Sequence, residues 1–150
     1  IQSGSLFHHF KSKDDILATV MEQTIIYNFA RLKEAAERSN DPEQQLRDLI
    51  KAELISITGD TGAAMAVLVH EWFALSKEKQ EYLLKMRNEY EQIWLEVIEK
   101  LRAQGKVKHD AFIWRRLVGG SISWSVTWYN PDGKVKVDEL TEMVWEMALK

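Results

Sequence analysis

The sequence predicts an all-α protein of six or so long helices following a short N-terminal segment. Apolar residues recur every three or four positions along most of its length. Only two prolines and seven glycines punctuate the 150 residues, so the helical runs are long. No stretch keeps the apolar–polar alternation of a strand; "KVKV" at 134–137 is too short and follows a Pro-Asp-Gly turn.

Each helix has its own start and stop. Ser12 reads as the N-cap of the first, with Asp14 and Asp15 in its first turn, where the helix dipole favours acids. Ile16, Leu17, Val20, Met21, Ile25, Phe29, Leu32 and Ala36 mark its expected buried stripe as far as about Arg38. Asp41 and Pro42 open the next helix, over about 42–58. Gly59-Asp60-Thr61-Gly62 breaks it. A helix at 62–75 follows, apolar on nearly every side, and is expected at the centre of the domain. Ser76 caps a helix at 77–104, ended by Gly105. The last two run over about 110–129 and 137–149.

Composition bounds the function. Hydrophobic residues make up 45% and charged residues 29%, the balance of an ordinary globular protein. There is no cysteine, which removes disulfides and thiolate chemistry and agrees with an expected cytoplasmic location. With a net charge of -3, contact with nucleic acid must come through a local patch. Residues 1–13 provide one, carrying His8, His9, Lys11 and Lys13 and no acid. Adjacent histidines on a helix diverge by about 100°, so a shared metal ion is not expected there. No nucleophile motif, glycine-rich phosphate loop or metal-ligand spacing occurs, so neither an enzyme nor a cofactor is expected. His70, in the apolar helix, is expected to be buried and hydrogen-bonded.

The stretch "SGSLFHHFKSKDDIL" at 3–17 resembles the end of the helix-turn-helix of TetR-family regulators, where a recognition helix leads through a lysine-bearing turn into a long connecting helix. The resemblance implies a TetR-like helical bundle with residues 1–13 as the C-terminal part of a DNA-binding domain and 14–150 as a ligand-binding and dimerisation domain. It implies two more helices ahead of Ile1. Gln2, Ser3 and Ser5 become candidates for base-edge contact; His8, His9 and Lys13 match positions that meet phosphate, and Phe10 packs the motif's core. Phe7 stands where the family often has tyrosine.

"SWSVTWYNPDGKVKVDEL" and the preceding helices resemble, more weakly, the sensor domains of repressors of fatty-acid and acyl-CoA catabolism. That implies a homodimer, operator DNA as a partner, and an apolar tunnel for a fatty acyl chain or its CoA thioester. Phe29, Met65, Trp72, Met86, Tyr90, Trp94, Trp124 and Trp128 are the candidate ligand-binding residues, as bulky apolar groups expected to face inward from several helices. Arg87, Arg115 and Arg116 could serve CoA phosphates or equally form surface salt bridges. Helix 110–129 carries two apolar stripes, one through Ile113, Leu117, Gly120, Trp124 and Trp128. Helix 137–149 has Leu140, Val144 and Met147 on one face, with Trp145 and Leu149 near another. The surplus surface points to a homodimer through these two helices. The competing reading is a helical dimeric interaction domain with no DNA-binding role.

Overall fold

A computed structural model describes residues 13–149, apart from the side chains of Leu68 and Val69. Six α-helices follow one another: α1 (Lys13–Glu37), α2 (Pro42–Thr58), α3 (Gly62–Glu71), α4 (Lys77–Ala103), α5 (Ala111–Trp124) and α6 (Val137–Leu149). Short 3₁₀ turns extend α3 over Trp72–Ala74 and α5 over Ser125–Thr127, where single continuous helices were expected. Residues 1–12, Ser12 among them, lie outside the described residues.

The predicted punctuation is largely present. The Ser76 hydroxyl accepts from the Lys79 N–H, and Asp110 accepts from the Ile113 N–H. Gly105 takes a positive φ of 73°, and the Lys106 N–H donates back to the Leu101 carbonyl at 2.9 Å, closing α4. At α2 the Asp41 side chain makes no cap; Pro42 alone supplies the preorganised first turn.

The centre of the fold is not the apolar helix. α3 is half-exposed, and Phe73 just beyond it is 90% exposed. α2 takes the central place instead, packing against α1, α3, α4, α5 and α6. Leu46, Leu49, Ile50 and Leu54 of α2 are fully buried among Leu32, Trp94, Ile98, Leu101, Trp114 and Ile122. Its charges do not keep it out, because neighbours meet them: Arg47 pairs with Glu142 and stacks on Trp145, and Lys51 pairs with Asp138. His70 is exposed rather than buried, on the same half-open helix.

Buried apolar residues fall into two groups. The larger spans α1, α2, α4, α5 and α6; the smaller comprises Met21, Leu75 and Leu83, with Leu17, Ile25, Trp72 and Met86 packed against it. The buried stripe of α1 is Met21, Thr24, Asn28, Leu32 and Ala35. It is rotated from the expected one: Val20 is exposed and Phe29 half-buried. Polar Thr24 and Asn28 take the places between the two groups.

Helix α5 buries Ala111, Trp114, Arg115, Val118 and Ile122. The stripe through Ile113, Leu117, Gly120 and Trp124 is exposed, Leu117 at 71%. On α6, Leu140, Val144, Trp145 and Leu149 all pack against the core, while Met143 and Met147 face outward. The paired glycines of α5 sit in different surroundings. A Cβ on Gly119 would lie 2.6 Å from an Arg115 guanidinium nitrogen, whereas Gly120 has open space beside it. Gly119→Ala is expected to destabilise the chain by about 1–3 kcal/mol by displacing that buried guanidinium. Gly120→Ala should leave it unchanged or stabilise it by up to about 1 kcal/mol through helix propensity. Urea unfolding of both variants gives the comparison; equal losses would remove the distinction.

Candidate ligand-binding site

The break in the apolar core is where the candidate site lies. On α1, Ile25 packs with the smaller group and Leu32 belongs to the larger, with Asn28 and Phe29 between them. On α4, Met86 packs with the smaller group, while Tyr90 and Trp94, one and two turns on, belong with the larger. Phe29, Met65, Trp72, Met86 and Tyr90 are all half-buried, and Trp94 is fully buried. Six of the eight expected pocket residues thus face the interior or its margin. Trp124 and Trp128 do not. They are 67% and 59% exposed, because the helical phase of α5 turns its Trp124 stripe away from α2 and α4.

A buried polar cluster borders this region. The Arg115 guanidinium makes two forked ion pairs, with Glu53 (2.7 and 3.1 Å) and Glu91 (2.8 and 3.0 Å). It stacks 4.2 Å from the Trp94 ring centroid. Arg115 and Glu53 side chains are each only 8% exposed. The Tyr90 hydroxyl donates to Glu53 Oε1 at 2.9 Å. Burial opposes the charge on Arg115, but Glu53 and Glu91 outweigh it and hold its pKa above the ordinary value. Arg115 is therefore committed to structure, neither a surface salt bridge nor a spare cation for phosphate. Arg116 is exposed and lies over Phe112, and Arg87 is exposed. Neither Glu53 nor Glu91 was singled out from the sequence, since a lone glutamate in a helix reads as a solvent-facing charge.

Asn28 is the second polar feature. Its amide nitrogen donates to the Met65 thioether at 3.4 Å. The Thr61 hydroxyl lies 2.7 Å from the Ser56 carbonyl and 3.1 Å from Asn28 Oδ1, with one proton to donate. Nearby, Arg31 pairs with Asp60 and donates to Ser56 Oγ, tying α1 to the turn before α3. The hydrogen bond from Arg31 holds the Asp60 carboxyl below the usual carboxylate range.

A third cluster sits at the start of α1. Lys79, in the first turn of α4, pairs with Asp14 at 3.0 Å and with Asp15. The hydrogen bond to Asp15, chiefly, raises the Lys79 pKa. Three turns of α1 are thus attached to α4 by this clamp, by Met21 against Leu83, and by Tyr82 donating to Glu22 at 3.0 Å. Lys13 is exposed at the first position of α1. Gln2, Ser3, Ser5, His8 and His9 lie outside the described residues.

The described residues thus form an all-helical bundle whose buried apolar residues fall into two groups. The chain matches the tetracyclin repressor-like C-terminal domain over residues 39–150 and belongs to the TetR family of transcriptional regulators. Among curated relatives, the HTH-type transcriptional repressor KstR2 of Mycolicibacterium smegmatis is 26% identical over 152 residues, covering 99% of this chain and 74% of that one. The crystal structure of superantigen PfiT is 48% identical, with a TM-score of 0.86 over all of this chain and 80% of that one. AibR in complex with isovaleryl coenzyme A and operator DNA shares the fold at 18% identity, with a TM-score of 0.85 over 99% of this chain and 81% of that one. Among the described residues no helix is long and apolar enough to cross a membrane.

Burial raises the Tyr90 pKa well above its ordinary value, and the Glu53 charge adds to this. A raised folded-state pKa gives stability that is complete below the unfolded value, about 10, and is lost as pH rises through the folded one. Of the four tyrosines, Tyr90 should stay protonated until the chain unfolds. Absorbance at 295 nm should show a late step coincident with loss of helical circular dichroism. Tyr90→Phe should abolish that step; its survival would place the late tyrosine elsewhere.

Proposed function

We propose that the chain is the sensor and dimerisation part of a repressor. In this reading it binds operator DNA as a homodimer and loses affinity for it when an apolar effector, a fatty acyl chain or acyl-CoA, occupies the break between the two core groups. One observation carries the reading. The first turn of α1, directly after the segment that resembles a recognition helix, is held to the sensor body by Lys79 at the head of α4. Met86 and Tyr90, flanking the candidate site, lie on that same helix. A ligand that shifts α4 therefore shifts the base of the DNA-binding segment.

The proposed dimer uses the outward stripe of α5, Ile113 to Trp124, together with Met143 and Met147 of α6. Exposed apolar residues gathered on two adjacent helices are the usual mark of an interface. A two-fold axis there would present two recognition helices to half-sites roughly 34 Å apart. The effector acts by preferring a conformer with another spacing, and by linkage DNA weakens effector binding by the same factor. Gln2, Ser3 and Ser5 would read bases; His8, His9 and Lys13 would meet phosphates, which fix position without specifying sequence. KstR2 is described as a repressor, and AibR was crystallised with both a coenzyme A thioester and operator DNA. Both support the reading by analogy.

Light scattering is expected to give twice the chain mass, and Leu117→Arg to give the single mass with helicity retained. A wild-type monomer at micromolar concentration would remove the dimer. The coupling has its own test, in the protein with its complete helix-turn-helix. Lys79→Ala should leave acyl-CoA affinity, read by tryptophan fluorescence, within about twofold. It should reduce by several-fold the factor by which acyl-CoA lowers operator affinity. An unchanged coupling factor would sink the clamp's role.

A further inference from the structure

Asn28 is 5% exposed, yet its hydrogen-bonding capacity is poorly used. A primary amide offers two donors and two acceptor sites. Among the described residues its nitrogen donates only to the Met65 thioether, a weak acceptor, and its oxygen competes with the Ser56 carbonyl for the single Thr61 proton. Such a group in a protein interior needs a reason. Its place supplies one: Asn28 sits in the buried stripe of α1 where the apolar core is interrupted, beside Phe29. Thr24, the other polar residue there, is satisfied by the Val20 carbonyl at 2.8 Å. The partner is also movable. Met65 is a flexible side chain on α3, which is only half-buried.

We propose that Asn28 is the polar recognition residue of the effector site, its amide nitrogen donating to a carbonyl oxygen carried by an otherwise apolar ligand, with Met65 holding that donor while the site is empty. Entry of the ligand exchanges an N–H···S contact for a stronger N–H···O bond and turns the methionine aside as part of the apolar wall. The donor thereby distinguishes a carbonyl-bearing effector, such as a thioester, from a plain hydrocarbon of the same shape. This rests on the reading of the core break as the effector site.

The test uses the chain's own tryptophans to titrate acyl-CoA thioesters of four, eight and sixteen carbons. Each is paired with the thioether in which a methylene replaces the carbonyl. The wild type should prefer the best-fitting thioester about tenfold, the worth of one neutral hydrogen bond. Asn28→Leu should bind both members of the pair alike. Met65→Leu removes the resting partner without touching the amide, so it should tighten the thioester and not the thioether, and it serves if Asn28→Leu does not fold. A wild-type preference that survives in Asn28→Leu would overturn the assignment and leave the effector reading standing. So would a wild type that binds both members equally. No saturable binding of any chain length to the wild type would overturn both.

Discussion

Burying the Arg115 guanidinium obliges the chain to bring two carboxylates to it, and the placement of three helices follows from that demand. Removing an ion from water costs several kcal/mol, which attraction repays only when the geometry is close to ideal. Here two forked pairs meet the requirement, one from Glu53 of α2 and one from Glu91 of α4, while Trp94 covers the flat face. Gly119 exists to leave room for the group. The cluster adds little net stability over a well-packed apolar substitute of the same volume. What it adds is register: α2, α4 and α5 have one rotation and one height at which all four hydrogen bonds form.

The buried apolar core lies in two groups. South of the ion cluster along α4, apolar packing resumes only at Met86 and Leu83, against a different set of partners on α1 and the turn after α3. Between the two lie half-buried aromatics and a pair of buried polar residues. A native interior is ordinarily packed throughout, and close packing is what holds its parts to one arrangement. Met65, beside Asn28, and Met86, against the smaller group, are both unbranched and half-buried, and so are the most adaptable side chains of this region.

Fold class, helix number and most boundaries were legible because they depend on local rules: Ser76, Asp110 and Gly105 each act through neighbours within a few residues. Periodicity also showed that α5 carries two apolar stripes, but not which of them faces out: Trp124 and Trp128 were expected inward and are exposed. What escaped were partnerships over long separations. Nothing in "KAELIS" marks Glu53 as buried, since its justification lies 62 residues away at Arg115. The same blindness put α3 at the centre. Uniform apolarity in α3 outweighed the charges of α2, but Arg47, Lys51 and Glu53 are all answered by partners on α5 and α6. The stripe of α1 held at Met21 and Leu32 but was misplaced by one position between them, as Ile25 and Phe29 look more buried than Thr24 and Asn28 until the far side of the contact is known. Six of the eight candidate ligand residues are buried or half-buried, as bulky apolar side chains on amphipathic helices usually are. Trp124 and Trp128 misled because a tryptophan serves an interior or an interface equally well.

The length of α4 has a mechanical consequence. At 1.5 Å per residue its 27 residues make an unbroken rod about 40 Å long, with no proline to absorb a bend. Glu91, locked to Arg115, acts as a fulcrum within it, and Lys79 stands twelve residues away, roughly 18 Å along the rod. A tilt of about 6° about that point moves the Lys79 end by about 2 Å. Expanding the wall at Met86 by the width of one methylene is thus a displacement of the right order to be felt at Asp14 and Asp15, the two residues through which α1 is gripped.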